Sequence, residues 1–277
     1  MRALAPCSWE EALRMRGETD AVPISGGTDL LVHWPVQPAT RNRVYLDLWG
    51  LEELRFLHWT DAALELGALV TYWDIVQDRR ARAELPILVD AARQVGAIQI
   101  QSRGTWAGNI ANASPAADGV PVLMACDATV LLDSVRGRRE VPLDCFYHGY
   151  KETELAADEL ISGVRIPRRE RRVQRFVKVG SRRAQAIAKV GIAVVASDAG
   201  WRLVAASVAP TVRRCPALEE RLEAGWVPEG PDDLFPALRR DVSPIDDLRS
   251  TAAYREQALA RVLYHEWPGA TPRPAHG

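Results

Sequence analysis

The chain has almost no net charge, few cysteines with no C-x-x-C pair, and no apolar run of membrane-spanning length; each shortage removes a class of function. Its 277 residues carry a formal charge of −1. The basic excess of a phosphate-tracking surface is missing, so nucleic acid is not expected as a partner. No stretch approaches the roughly 20 apolar residues of a membrane helix, and no membrane span is expected. Glu10 and Glu11 fall where a secretory signal would have its apolar centre, which makes a cytoplasmic location the expectation. Cys7, Cys126, Cys145 and Cys215 lie far apart, without the spacing of an iron–sulfur cluster or a structural zinc site, and read as buried, reduced intracellular thiols. The histidines show no i, i+4 pair, so no metal ligand is assigned.

What is present is ordinary globular material: 26% charged and 47% hydrophobic residues, in a chain long enough for two domains of about 100–200 residues each. Ser8 followed by Glu11 predicts a capped helix over 8–16, then a strand at 21–25. "RVYLDLWG" at 43–50 reads as a strand, 54–71 as a hairpin turning near Thr60 and Asp61, and 72–96 as helix interrupted by Pro86. Residues 102–132 mix Gly, Asn, Ser, Pro and Asp with apolar side chains and read as an irregular but buried backbone, with Asp118 a possible cap near Gly119. Strands follow at 128–134, 138–143 and 159–167. The arginine-rich run 167–175 reads as a solvated boundary. Beyond it come a small antiparallel sheet and helices near 214–224, 231–239 and 250–265.

Two glycine-rich segments carry the functional signal. "SGGTDLL" at 25–31 sits between a strand and a predicted helical start; its glycines permit positive φ and close approach, and Thr28 and Asp29 offer capping oxygens. The second segment adds Gly104, Thr105, Gly108, Asn109, Ser114 and Asp118, with peptide N–H groups that can form an anion-binding concavity. Neither G-x-G-x-x-G nor G-x-x-x-x-G-K-[ST] is present, which disfavours a Rossmann dinucleotide enzyme and a nucleoside triphosphatase. Each segment alone also reads as a plain turn. Together they suggest two loops clamping a pyrophosphate from opposite sides.

In this order, "SGGTDLL" and "RGTWAGNIANASPAADGVPVLMACDA" at 103–128 resemble the FAD-binding subunit of molybdenum hydroxylases, the xanthine dehydrogenase and carbon monoxide dehydrogenase family. The family pattern is A-G-G-[TH]-[DS]-L followed by T-[IVL]-G-G-N-[IL]-x-x-A-x-P-x-x-D-x-x-P. The likeness continues through 149–167 and 176–194 and ends in 242–263. It implies that Ser25, Gly26, Gly27, Thr28, Asp29 and Leu30 wrap the FAD pyrophosphate, the missing β-carbons leaving room for it. It further implies that Thr105, Gly108, Asn109, Ser114 and Asp118 line the flavin, phosphate and ribitol chain. Ile161 joins the cofactor contacts, and Lys178, Ala186 and Ile187 lie near the isoalloxazine ring. Ser25 replaces the usual Ala, and Trp106-Ala107 the usual aliphatic-Gly pair, so Ala107 puts a β-carbon where the family has none. From the residues alone Trp106 reads as a core anchor and Lys178 as either a surface strand lysine or a site residue.

The resemblance implies an α+β fold: a two-lobed FAD-binding domain of the vanillyl-alcohol-oxidase type over 1–167, split near residue 53, and a C-terminal antiparallel sheet with a small helical bundle over 168–277. The implied role is an electron-transfer subunit with no catalytic acid, base or nucleophile of its own. It would take electrons from the 2Fe-2S clusters of a small subunit, fed by a large molybdenum–pterin subunit, and pass them to NAD, oxygen or a quinone within a hetero-oligomer. Two other readings stand beside it: a cofactor-free scaffold in which Trp106 and Ala107 block FAD, and a self-contained flavin oxidase of a small alcohol.

Overall fold

A computed structural model describes residues 2–33, 43–182 and 184–268. Near the N-terminus β1 (Arg2–Leu4), β2 (Val22–Ile24) and β3 (Val44–Asp47) form a parallel sheet in the order β1-β3-β2. The helix α1 (Trp9–Glu18) connects the first two strands. Ser8 Oγ accepts from the Glu11 N–H at 3.1 Å. The Glu11 carboxylate takes the Cys7 N–H at 2.7 Å instead of the cap residue's own, so the capping box is displaced by one position. The helical start expected after the glycine pair is only a 3-10 turn, Leu30–His33.

A five-stranded antiparallel sheet follows, built from β4 (Leu57–Trp59), β5 (Ala63–Gly67), β6 (Thr129–Ser134), β7 (Gly137–Pro142) and, after the small hairpin β8 (Tyr147–Gly149) and β9 (Glu152–Thr153), β10 (Leu160–Pro167). The predicted hairpin turns at Thr60, whose hydroxyl oxygen accepts from the N–H groups of Ala62 at 3.2 Å and Ala63 at 2.9 Å. Six short helices lie between β5 and β6: α2 (Tyr72–Gln77), α3 (Arg79–Glu84), α4 (Pro86–Gln94), α5 (Ile98–Gln101), α6 (Trp106–Asn112) and α7 (Gly119–Ala125). Pro86 begins α4, where its missing N–H costs no hydrogen bond.

Residues 102–132 are thus not an irregular backbone. Thr105 Oγ1 caps α6 by accepting from Gly108 N at 3.0 Å, Ala113 ends that helix with φ 50°, and α7 starts after Asp118. Of the four ends of these helices only the start of α6 carries a side-chain cap, and Gly108, Asn109 and Asn112 lie inside α6 itself. Asp118 makes no side-chain cap bond to α7; its partner lies elsewhere.

The chain then forms a third sheet, antiparallel, from β11 (Arg171–Val179), β12 (Val190–Ser197), β13 (Gly200–Ala206) and β14 (Arg213–Arg214). Along β12 the faces alternate as a strand requires. Ala193 and Val195 join the large core with α4 and α7, while Val190, Ile192 and Val194 join a second core with α8 (Pro216–Glu223), α9 (Phe235–Asp241) and α10 (Ala252–Glu266). The arginine run is only partly the solvated linker expected: residues 168–170 join β10 to β11 and Arg169, Arg172 and Arg175 are exposed, but the second half of the run is β11. Arg168 pairs with Glu84 at 2.9 Å, Arg171 donates to the Pro167 carbonyl at 2.7 Å, and Arg172 to that of Ser197 at 3.0 Å. Among the described residues no helix is long and apolar enough to cross a membrane.

Candidate functional site

The loop after β2 and the turn into α6 meet along one side of a cavity of about 980 Å³. Their contact is close. A β-carbon on Gly26 would lie 1.8 Å from the Arg103 carbonyl oxygen, and one on Gly108 would lie 2.8 Å from Thr105 Oγ1 and 3.2 Å from Ser25 Oγ. Ser25 Oγ and Thr105 Oγ1 share a hydrogen bond at 3.1 Å, which the alanine usual at position 25 lacks. The Arg103 guanidinium covers the ring of Trp49, just beyond β3, at 3.7 Å. Gly27 has φ 72°, and a β-carbon there would face Leu31 and Ile24 at 3.2 and 3.4 Å. The expectation that these glycines leave room for a ligand is therefore corrected: Gly26 makes room for the second loop, and Gly27 supplies a left-handed turn. Among the described residues no protein acceptor faces the N–H groups of residues 26–29, which leaves a row of donors suited to an anion.

The same cavity is also lined by acceptors without donors. Asn109 Oδ1 and Asp118 Oδ1 are buried and unpartnered. Asp118 Oδ2 accepts from Lys178 Nζ at 2.6 Å, and the ammonium also donates to the Gln94 carbonyl at 2.9 Å. Both side chains are nearly enclosed, 12% and 7% exposed, so Lys178 is no surface lysine. Burial pushes the Asp118 carboxyl up to about 6 against the opposing pull of Lys178.

The cavity gathers Ser25, Gly26, Gly27, Thr28, Asp29, Leu30, Thr105, Gly108, Asn109, Asp118, Ile161, Ala186 and Ile187. Two predicted positions are not on its wall. Ser114 shapes the turn before α7, accepting from Ala116 N at 3.3 Å, and Lys178 stands behind Asp118. Ala107 is on the wall without closing the space. Trp106 is fully buried against Tyr72, with ring centroids 4.8 Å apart. It is a core anchor, and the blocked-site reading loses its basis.

Sequence reasoning missed Arg16, Tyr72, Ile100 and Lys151, which also line the cavity. Lys151 has φ 61° and donates to Asn112 Oδ1 at 2.8 Å, bringing the β8–β9 turn over the end of α6. No local pattern announces these residues; only the Thr71–Asp74 capping box (3.2 and 2.8 Å) marks where α2 begins.

Chemically, the site pairs a row of N–H donors with buried oxygens awaiting donors, flanked by apolar Leu48, Leu155 and Ile161. That set fits a ligand carrying anionic oxygens, hydroxyl or N–H groups, and flat apolar rings, as FAD does. Fold and site together define an α+β flavin-nucleotide-binding protein. Residues 1–169 match the family described as the FAD binding domain in molybdopterin dehydrogenase, and residues 175–268 match the CO dehydrogenase flavoprotein C-terminal domain. The chain belongs to this family of FAD-binding subunits.

Among curated relatives, the nicotinate dehydrogenase FAD-subunit of Eubacterium barkeri is 31% identical over 94% of this chain and 92% of its own. The carbon monoxide dehydrogenase medium chain of Hydrogenophaga pseudoflava is 28% identical over 95% and 96%. A solved carbon monoxide dehydrogenase structure from the same organism superposes with a TM-score of 0.85, at 26% identity over 95% of this chain and 94% of that one.

Proposed function

We propose that the chain is the electron-transfer subunit of a molybdenum hydroxylase complex. It receives electrons from 2Fe-2S clusters in a small partner subunit, downstream of a large molybdenum–pterin subunit, and delivers them to NAD or another final acceptor such as oxygen or a quinone. The assembly is a cytoplasmic hetero-oligomer, a dimer of heterotrimers, and this chain alone does not turn over an organic substrate. The observation that carries the reading is the meeting of the two glycine loops at one cavity whose unpaired donors and buried acceptors match FAD.

Bound FAD supplies the exchange between single electrons and electron pairs. The protein's part is to hold and orient it. The N–H groups of residues 26–29 would take the pyrophosphate oxygens. Asn109 and Asp118 would accept from the cofactor's donors, while Ile161, Ala186 and Ile187 would exclude water from its rings. Lys178 acts through Asp118, and Ser114 by shaping the turn before it. The division into 1–167, with lobes meeting near residue 53, and 168–277 belongs to the same proposal. It is supported by the change from the five-stranded to the four-stranded sheet between Pro167 and Arg171.

The test is the absorption spectrum between roughly 300 and 600 nm of the chain reconstituted with FAD and freed of excess, followed by anaerobic addition of NADH. One FAD per chain is expected, bleached by NADH. A folded but colourless chain overturns the reading. A yellow chain that NADH leaves unchanged removes NAD as acceptor. Retention of a small iron–sulfur and a large molybdenum-bearing subunit on the tagged chain tests the assembly.

A further inference from the structure

Tyr72 is 2% exposed, yet it lines the cavity, and among the described residues its hydroxyl has no hydrogen-bond partner. Its ring is fixed on several sides. Trp106 packs on it with ring centroids 4.8 Å apart, its own N–H donates to the Gly104 carbonyl at 3.1 Å, and a β-carbon on Gly104 would meet its Cε2 at 3.3 Å. The hydroxyl is thereby set beside Gly119, where one β-carbon position would lie 3.0 Å from the Tyr72 oxygen and 3.0 Å from Asn109 Oδ1. The two atoms bracket the same region without bonding to each other.

The buried Asn109 Oδ1 has no partner, which is costly unless a ligand serves it, and the Tyr72 hydroxyl lines the same cavity beside it, within reach of the same ligand group. The phenol is held protonated, because burial, with Asp118 adding to it, raises its pKa well above the ordinary value; it acts as a donor. Asn109 Oδ1 can only accept. A phosphate or carbonyl oxygen can take the phenol's proton bond but has nothing to give Asn109. A hydroxyl accepts from one and donates to the other. The part of FAD that carries such hydroxyls along its length is the ribityl chain.

We propose that Tyr72 is an FAD-binding residue whose hydroxyl, together with Asn109 Oδ1, holds a ribityl hydroxyl of the cofactor. The inference rests on the FAD reading of the cavity. It assigns the polyol segment to the end of the floor between α2 and the start of α7, and leaves the pyrophosphate to residues 26–29.

The experiment compares the whole chain with its Tyr72→Phe variant, which keeps the ring against Trp106. FAD affinity is read by flavin absorbance after titration of the apoprotein. ADP, which shares the pyrophosphate and lacks the polyol, is read by displacement of FAD. Expected is a loss of about 3- to 10-fold for FAD, the size of one neutral hydrogen bond, with ADP affinity unchanged. Unaltered FAD affinity overturns the proposal, as does an equal loss for FAD and ADP, which would place the hydroxyl on the ADP half of the cofactor, at its ribose or pyrophosphate. If Tyr72→Phe does not fold, Asn109→Leu answers the same question: it too must weaken FAD and spare ADP. Failure of the wild-type chain to bind FAD would sink the functional reading itself, a result separable from either variant's.

Discussion

A β-carbon on Gly26 would lie 1.8 Å from the carbonyl oxygen of Arg103, so the two cofactor loops touch backbone to backbone at a point where only hydrogen fits. Real β-carbons do not approach a carbonyl so closely, and neither neighbour is a flexible side-chain end. Gly26→Ala is therefore expected to push the loops apart. It should lower the thermal midpoint of the apoprotein and leave less than a tenth of chains with FAD after desalting, by an order-of-magnitude expectation from small-to-large overpacking.

Gly27→Ala should behave differently. Its β-carbon would face Leu31 and Ile24, not the cavity, and the penalty comes from the left-handed backbone, about 1–2 kcal/mol. Urea unfolding should show that loss with partial FAD retention. Gly27→Val, β-branched at positive φ, should be worse than Ala. If Gly27→Ala abolished binding while Gly26→Ala retained it, the assignment of the two glycines would be reversed.

Lys178→Met strips a buried carboxylate of its cation. Breaking such a pair costs about 3–5 kcal/mol when the remaining charge stays ionised. Because Asp118 can take a proton instead, the loss in chemical denaturation should be large near pH 7.5 and much smaller near pH 5. A pH-independent loss would mean that Lys178 matters only for packing.

The wild-type apoprotein carries the same signature in milder form. The Asp118 carboxyl is raised from 3.8 to about 6, so between these values the folded chain holds a proton the unfolded chain has released. Its contribution to stability is full below pH 4 and is lost as pH rises through about 6. Bound FAD that donates to Asp118 Oδ1 favours the ionised carboxylate, with Lys178 as its counter-charge and Tyr72 protonated throughout. FAD affinity should then rise as pH increases through about 6 and level off above it. Titrations across this range check the trend, and Asp118→Asn should flatten it.

The amino-acid order alone determined what short-range chemistry can announce. Ser8 and Thr60 mark a cap and a turn because their hydroxyls bond backbone a few residues away. The two glycine loops were legible as motifs, and most of the residues they contribute do reach the cavity. The density of Gly, Asn and Ser at 102–132 reads as loop because these residues are poor helix formers, yet Gly108, Asn109 and Asn112 lie inside α6, where tertiary packing overrides propensity. Among the arginines at 168–175, the partners of Arg168 and Arg172, Glu84 and the Ser197 carbonyl, are distant in the chain, so neighbouring residues do not announce them.

Only the tertiary structure decided why Gly26 is glycine, since its constraint is a carbonyl on the other loop. It alone brought Lys178 of β11 to Asp118 before α7, and set the hydroxyl of Tyr72 beside Asn109. A burial-shifted carboxyl, an unpartnered phenol and a contact that excludes a β-carbon all depend on which segments pack together. That is fixed by apolar burial over the whole chain, which the spacing of neighbouring residues does not encode.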